Sequence, residues 1–243
     1  MNKPKHILVS FSGGIDSTYL VYKNLKKGYR VTGLYTTIQN NDNKVMVEKF
    51  QVEKLTRLFN KEFDNQFDLR MGMSVYAQCG SNLIFKQITI WLVSLLYEGD
   101  KYDEIHIGAV MNDDMISYVD DIKKMWKAML FLKDQEEIAP LLFPITKMTK
   151  WQIVEALPQQ YKELVTYCEN PTIVKSAEDN NGDLQFANCK ECNACKRYAY
   201  NKDMFNVEYG LIQQDKKSNC EDGDGDMEPD ISQTLHIDYS KIK

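Results

Sequence analysis

Ser12-Gly13-Gly14-Ile15-Asp16-Ser17 is the stretch whose residue types and spacing point most directly to chemistry. It follows an apolar run over residues 5–11 that reads as a short buried strand, and it leads into helical periodicity over 16–27. A strand-to-helix turn presents unpaired N–H groups and a partial positive charge, which suits a phosphate. Gly13 and Gly14 let the backbone approach such an anion closely, while Ser12, Ser17 and Thr18 offer hydroxyls. Asp16 is a carboxylate able to help hold Mg²⁺. The Gly-x4-Gly-Lys-Ser/Thr spacing of a Walker loop is absent. The plainer reading is a glycine turn with Asp16 as a helix N-cap.

The second constellation is Cys189-x2-Cys192-x2-Cys195, with Cys168 lying 21 positions before the first of them. Four thiolates make a closed tetrahedral Zn²⁺ site, structural because no position is left for water. An iron–sulfur cluster is the rival, although ferredoxin spacing would need cysteine at 199, where Ala199 stands. Cys79 and Cys220 have no partner at metal spacing.

Strands and helices must hold these groups. Strand signals at 5–11, 29–35, 63–69, 104–108 and 138–143 alternate with helix signals at 16–27, 44–60, 81–97 and 115–133. That alternation predicts an α/β fold, a doubly wound parallel sheet with helices on both faces. Residues 1–149 are expected to form this α/β domain, with the glycine loop as its nucleotide-binding element. Residues 150–212 are expected to be a small helical lobe carrying the zinc site, with 168–188 as a loop of little periodicity. Residues 213–243 are an acidic tail with eight acidic and four basic residues, so most of the formal charge of -5 lies there. The body is nearly neutral, which argues against strong direct nucleic-acid binding. No run approaches the roughly 18 apolar residues of a membrane helix, and no signal-type apolar stretch opens the chain, so a cytoplasmic protein is expected. Trp91 and Trp126 read as core residues.

The S-G-G-x-D-S string resembles the PP-loop of the ATP pyrophosphatases. Combined with the late cysteines it resembles the 7-cyano-7-deazaguanine synthases. Gly80-Ser81-Asn82-Leu83-Ile84-Phe85 is similar to their G-R-N-x-x-F segment, and Gly108 to Asp113 followed by Tyr118-Val119-Asp120 to their G-x-x-x-x-D and Y-P-D stretches. Pro140-Leu141 with Lys147 resembles a P-L…K segment, and Thr166-Tyr167-Cys168 the start of the zinc site. Tyr35 to Asn40 has neither Gly nor His where those enzymes show D-Y-G-Q-x-H, Ser81 replaces their Arg, and Val119 their Pro.

The resemblance implies an adenine nucleotide alpha hydrolase-like fold and an ATP-dependent ligase. Such an enzyme adenylates 7-carboxy-7-deazaguanine and uses ammonia to form the amide or the nitrile, serving queuosine synthesis or deazaguanine modification of DNA. It implies ATP and Mg²⁺ at Ser10, Ser12, Gly13, Gly14, Asp16, Ser17 and Gly108, with Asp16, Ser17 and Lys147 as catalytic groups. Asn82, Asp113, Tyr118 and Asp120 would bind the substrate, Cys168, Cys189, Cys192 and Cys195 would hold zinc, and a homodimer is expected. The competing expectations are a PP-loop enzyme adenylating another substrate, as in tRNA thiolation or defence-type protein modification, and a non-catalytic zinc-stabilised nucleotide-binding module.

Overall fold

A computed structural model of the chain describes residues 3–76, 87–111, 113, 115–133, 138–177, 180 and 182–196. The chain divides after Asp203, and residues 204–243, including the acidic stretch, lie outside the described residues. Among the described residues no helix is long and apolar enough to cross a membrane.

Five parallel strands form the sheet: β1 (His6–Ser10), β2 (Arg30–Gln39), β3 (Phe67–Tyr76), β4 (Glu104–His106) and β5 (Leu141–Leu142). Their spatial order is β3-β2-β1-β4-β5, so the winding reverses between β1 and β4. In open sheets of this kind the reversal opens a crevice beyond the carboxyl ends of the two strands.

The pleat sends alternate side chains to opposite faces. Ile7, Val9 and Phe11 enter one core with Leu20 and Leu25 of α1 (Ile15–Lys26) and Leu55 and Phe59 of α2 (Asp42–Glu62). Leu8 and Leu34 enter the other, against Leu92 and Leu95 of α3 (Gln87–Glu98) and Ile122 and Trp126 of α4 (Val119–Ala128). The helices thus cover both faces, as the alternation predicts. Ile153 of α5 (Lys150–Ala156) and Tyr161 of α6 (Gln159–Lys162) pack into the first core, beside the sheet.

Three expectations shift. The third strand begins at Phe67 because Asp64 and Asn65 take φ of 50° and 59°, forming a left-handed turn after α2. The helix expected over 115–133 is broken into a 3₁₀ turn at Ile116–Tyr118, α4, and a second 3₁₀ stretch at Met129–Lys133. The expected loop at 168–188 contains an antiparallel hairpin of β6 (Thr172–Lys175) and β7 (Gln185–Ala187).

Candidate functional site

After β1 the chain turns at once into α1. Phe11 donates its N–H to the Leu34 carbonyl at 2.9 Å, keeping the chain in the sheet until the glycines. Gly13 has φ of 72°, and a Cβ there would stand 3.0 Å from Val52 Cγ2, so this position needs glycine twice over. Gly14 is the N-cap of α1, and no side chain caps this helix start. Asp16 therefore lies inside the first turn and is not the N-cap. The seryl hydroxyls hold the loop in shape: Ser17 Oγ donates to the Gly14 carbonyl at 3.1 Å, and Ser12 Oγ accepts from Gly14 N–H at 3.3 Å. A helix start that no side chain caps, framed by hydroxyls, presents N–H groups of the kind that suit an anion.

Asp16 carries the electrostatics of the loop. Its Oδ2 accepts from Lys150 Nζ at 2.6 Å, while Oδ1 is buried without a partner. Burial pushes its carboxyl up, Lys150 pulls it down, and Asp113 pushes it up again, with a net rise. An orphaned, buried carboxylate oxygen in the first turn after the glycine loop fits one ligand position of Mg²⁺, which is bound through one or two carboxylates together with substrate phosphates. Lys150 sits in the first turn of α5, where a cation opposes the helix dipole. Thr149 and Gln152 cap this helix in a reciprocal box and so fix where Lys150 stands. Lys147 is exposed, and neither it nor Lys150 lines the cleft directly, Lys150 reaching it through Asp16.

A small cleft of about 100 Å³ lies between the carboxyl ends of β1 and β4. One wall is Ser10, Ser12, Gly14, Asp16 and Ser17; the other is Trp91, Ile107, Gly108, Asp113 and Met115. A Cβ on Gly108 would stand 3.2 Å from Asp16 Cβ and 3.4 Å from Ser17 N, so its absence lets the two walls meet. Asp113 Oδ1 accepts from Met115 N–H at 3.1 Å, shaping the turn that brings Met115 to the cleft. The structure thus brings together Ser10, Ser12, Gly14, Asp16, Ser17, Gly108 and Asp113 from the sequence expectation. Tyr118 and Asp120 are exposed at the start of α4, Asp120 lying 3.8 Å from Lys123. Asn82 lies outside the described residues, as do Cys79 and Cys220.

Sequence reasoning missed Lys150 and Trp91. The signal available for Lys150 was a lysine in the first turn of a capped helix, where the dipole disfavours it. Trp91 reads as core, and it does pack beside the second core, but it also faces the cleft.

The four cysteine sulfurs all lie within 4.8 Å of one another, with Cys168 and Cys189 3.5 Å apart. Backbone N–H groups of Cys189, Cys192 and Cys195 point at the sulfurs of Cys168, Cys189 and Cys192 at 3.2, 3.3 and 3.4 Å. Lys190, at φ of 63°, makes the turn that allows this. Burial raises the Cys168 and Cys195 thiols. Burial also works to raise Cys192, but backbone hydrogen bonds from Glu169 and Cys195 and the neighbouring thiols outweigh it and bring it down to about 6. Four sulfurs bound at ~2.3 Å around one tetrahedral ion stand about 3.8 Å apart, close to the spacing seen, so the donor set fits a single soft ion.

The two sites share a segment. Thr166 donates its N–H to the Gly13 carbonyl at 3.2 Å, two residues before Cys168. Asn41, the N-cap of α2, reaches the Glu169 carbonyl at 3.3 Å and Asn170 Oδ1 at 3.1 Å.

No protein-family model matches the sequence, and no curated protein matches it either. Among solved structures, a U34-tRNA thiolase from Methanococcus maripaludis, determined with its 4Fe–4S cluster, aligns at 16% identity and a TM-score of 0.41, over 70% of this chain and 61% of that one. A 4-thiouridine synthetase in complex with RNA and ATP aligns at 16% identity and 0.42, over 66% of this chain and 40% of the other. An NMN synthetase from Francisella tularensis aligns at 17% identity and 0.36, over 66% and 62%. The chain spans less than two thirds of each of these proteins. Likenesses of this size leave the function to the geometry of the site.

Proposed function

We propose that the chain is a PP-loop ATP-dependent ligase that adenylates the carboxylate of 7-carboxy-7-deazaguanine and uses ammonia to form the amide, the nitrile, or both in turn. The observation that carries this reading is the uncapped glycine loop at the sheet's reversal point, with Asp16 presenting a buried oxygen to it. The choice of acceptor rests on the resemblance carried by the S-G-G-x-D-S string and the four cysteines together.

In this reading the N–H groups of α1's first turn and the hydroxyls of Ser12 and Ser17 receive the β- and γ-phosphates. A carboxylate oxygen of the acceptor attacks the α-phosphorus, the bond to the β-phosphate oxygen breaks, and pyrophosphate leaves with the electron pair. Lys150, already against Asp16, would offset negative charge gathered at the loop. Asp16 and Asp113 would hold Mg²⁺, which supplies charge neutralisation on the phosphates. Ammonia then attacks the acyl carbon, AMP leaves, and a proton passes to water. For the nitrile, a second ATP activates the amide oxygen in the same way with one N–H proton passing to water, and loss of AMP and the remaining N–H proton completes the triple bond.

The cysteines are read as a zinc site that pins the chain beside the loop. Their close spacing favours one ion over a cluster, whose several metals would set the four thiolates further apart. The acceptor assignment is tested by incubating the protein with 7-carboxy-7-deazaguanine, ATP, Mg²⁺ and ammonium and weighing the product. The amide or the nitrile is expected. An unchanged acid, in a preparation that makes AMP with another carboxylate, refutes this acceptor.

A further inference from the structure

The two walls of the cleft differ in chemistry, and the nucleotide reading uses only one of them. The phosphate-loop wall is hydroxyls, N–H groups and a carboxylate, which by itself would accommodate a bare anion. Opposite it stand Trp91 of α3, Met115 and Ile107. On the same helix Ile88, Leu92, Leu95 and Leu96 are buried in the core, whereas Trp91 is only partly covered and borders the cleft. A large flat aromatic face bordering a polar crevice offers a surface on which a ring can stack. Met115 beside it is a polarisable, adaptable neighbour that suits contact with a ring.

We infer that Trp91, backed by Met115, is the ring-binding wall of this cleft and stacks a planar heteroaromatic group whose reacting end is directed at the phosphate loop. The inference rests on the nucleotide-site reading and adds the class of group the opposite wall takes. The ring has two possible sources, the adenine of the nucleotide and the heterocyclic acceptor, and both offer a flat π-face.

The test uses the full chain and its Trp91→Phe and Trp91→Ala variants. Affinities are measured by calorimetry for three probes: inorganic pyrophosphate, a non-hydrolysable ATP analogue, and 7-carboxy-7-deazaguanine. Indole emission is followed during each titration. Alanine should weaken at least one of the ring-bearing probes about 10- to 100-fold, the range expected for a lost stacking partner, and leave pyrophosphate affinity within twofold. Phenylalanine should restore most of the binding while removing the ligand-induced quenching. Loss with the ATP analogue alone assigns the wall to adenine, and loss with the deazaguanine alone assigns it to the acceptor. Ring probes that bind Trp91→Ala as they bind the parent overturn the inference while leaving the phosphate site standing. Equal losses for all three probes, pyrophosphate included, also overturn it, because Trp91 would then act only through the fold. A parent protein that binds no pyrophosphate contradicts the nucleotide reading itself.

Discussion

Asp16 and Lys150 are 134 positions apart in sequence and 2.6 Å apart in space, and the account of the site depends on that pair. The raised carboxyl of Asp16 has a consequence for stability. A folded-state pKa above the unfolded one means that the folded protein holds this proton more tightly, so the contribution is full below pH ~3.9 and is lost as pH rises through the folded value. At pH 7 the ionised group works against folding. Asp16→Asn should therefore raise the thermal midpoint at pH 7, with the gain shrinking towards pH 4. The same variant should stop pyrophosphate release. A lower midpoint at pH 7, or unchanged release, contradicts the role given to Asp16.

Lys150→Met should lower kcat about 10²–10³-fold, the usual loss for one charged group at a developing transition-state charge. Lys147→Met, on an exposed position off the cleft, should leave turnover within about twofold. Steady-state kinetics on the two variants decides which lysine serves the loop. The sequence shows the phosphate loop because all its parts are consecutive. It does not show Lys150, because nothing local ties that residue to Asp16.

Among the elements, the segment from Thr166 to Asn170 joins two sites. It hydrogen-bonds Gly13 at one end and the N-cap of α2 at the other, and Cys168 lies between them. Removing a metal from the four thiols, or replacing Cys168 by serine, should loosen this segment and weaken ATP-analogue binding by about tenfold, ~1.4 kcal/mol. Calorimetry before and after chelation checks it, with hydrogen exchange at Thr166 as the local reporter. Unchanged affinity after complete metal loss, with the fold retained, would show the sites to be independent. The sheet elements were legible because β1 and β2 are buried and the glycine loop marks the end of the first. The hairpin of β6 and β7 was not, because its strands are four and three residues long with mostly exposed positions and so carry no apolar pattern. The late start of β3 follows from two left-handed residues whose conformation the sequence only hints at.

For the molecule as a whole, the charge is the feature that bears on partners. A near-neutral body with a net of -5 for the full chain has no overall basic excess to attract a polyanion. Binding to tRNA at physiological salt should fall in the non-specific range, with Kd of about 10⁻⁴–10⁻⁶ M and strong weakening by salt. Nanomolar, salt-resistant RNA binding in a titration would move the acceptor from a free heterocycle to a nucleic-acid base. Both possibilities share one chemical step at the loop, the release of pyrophosphate from ATP. It is read most directly by following the phosphorus of ATP during turnover with a carboxylate acceptor and Mg²⁺. AMP and pyrophosphate in equal amounts are predicted, and both should vanish with Asp16→Asn. ADP and inorganic phosphate as the products, or AMP formation that survives the loss of Asp16, would contradict it.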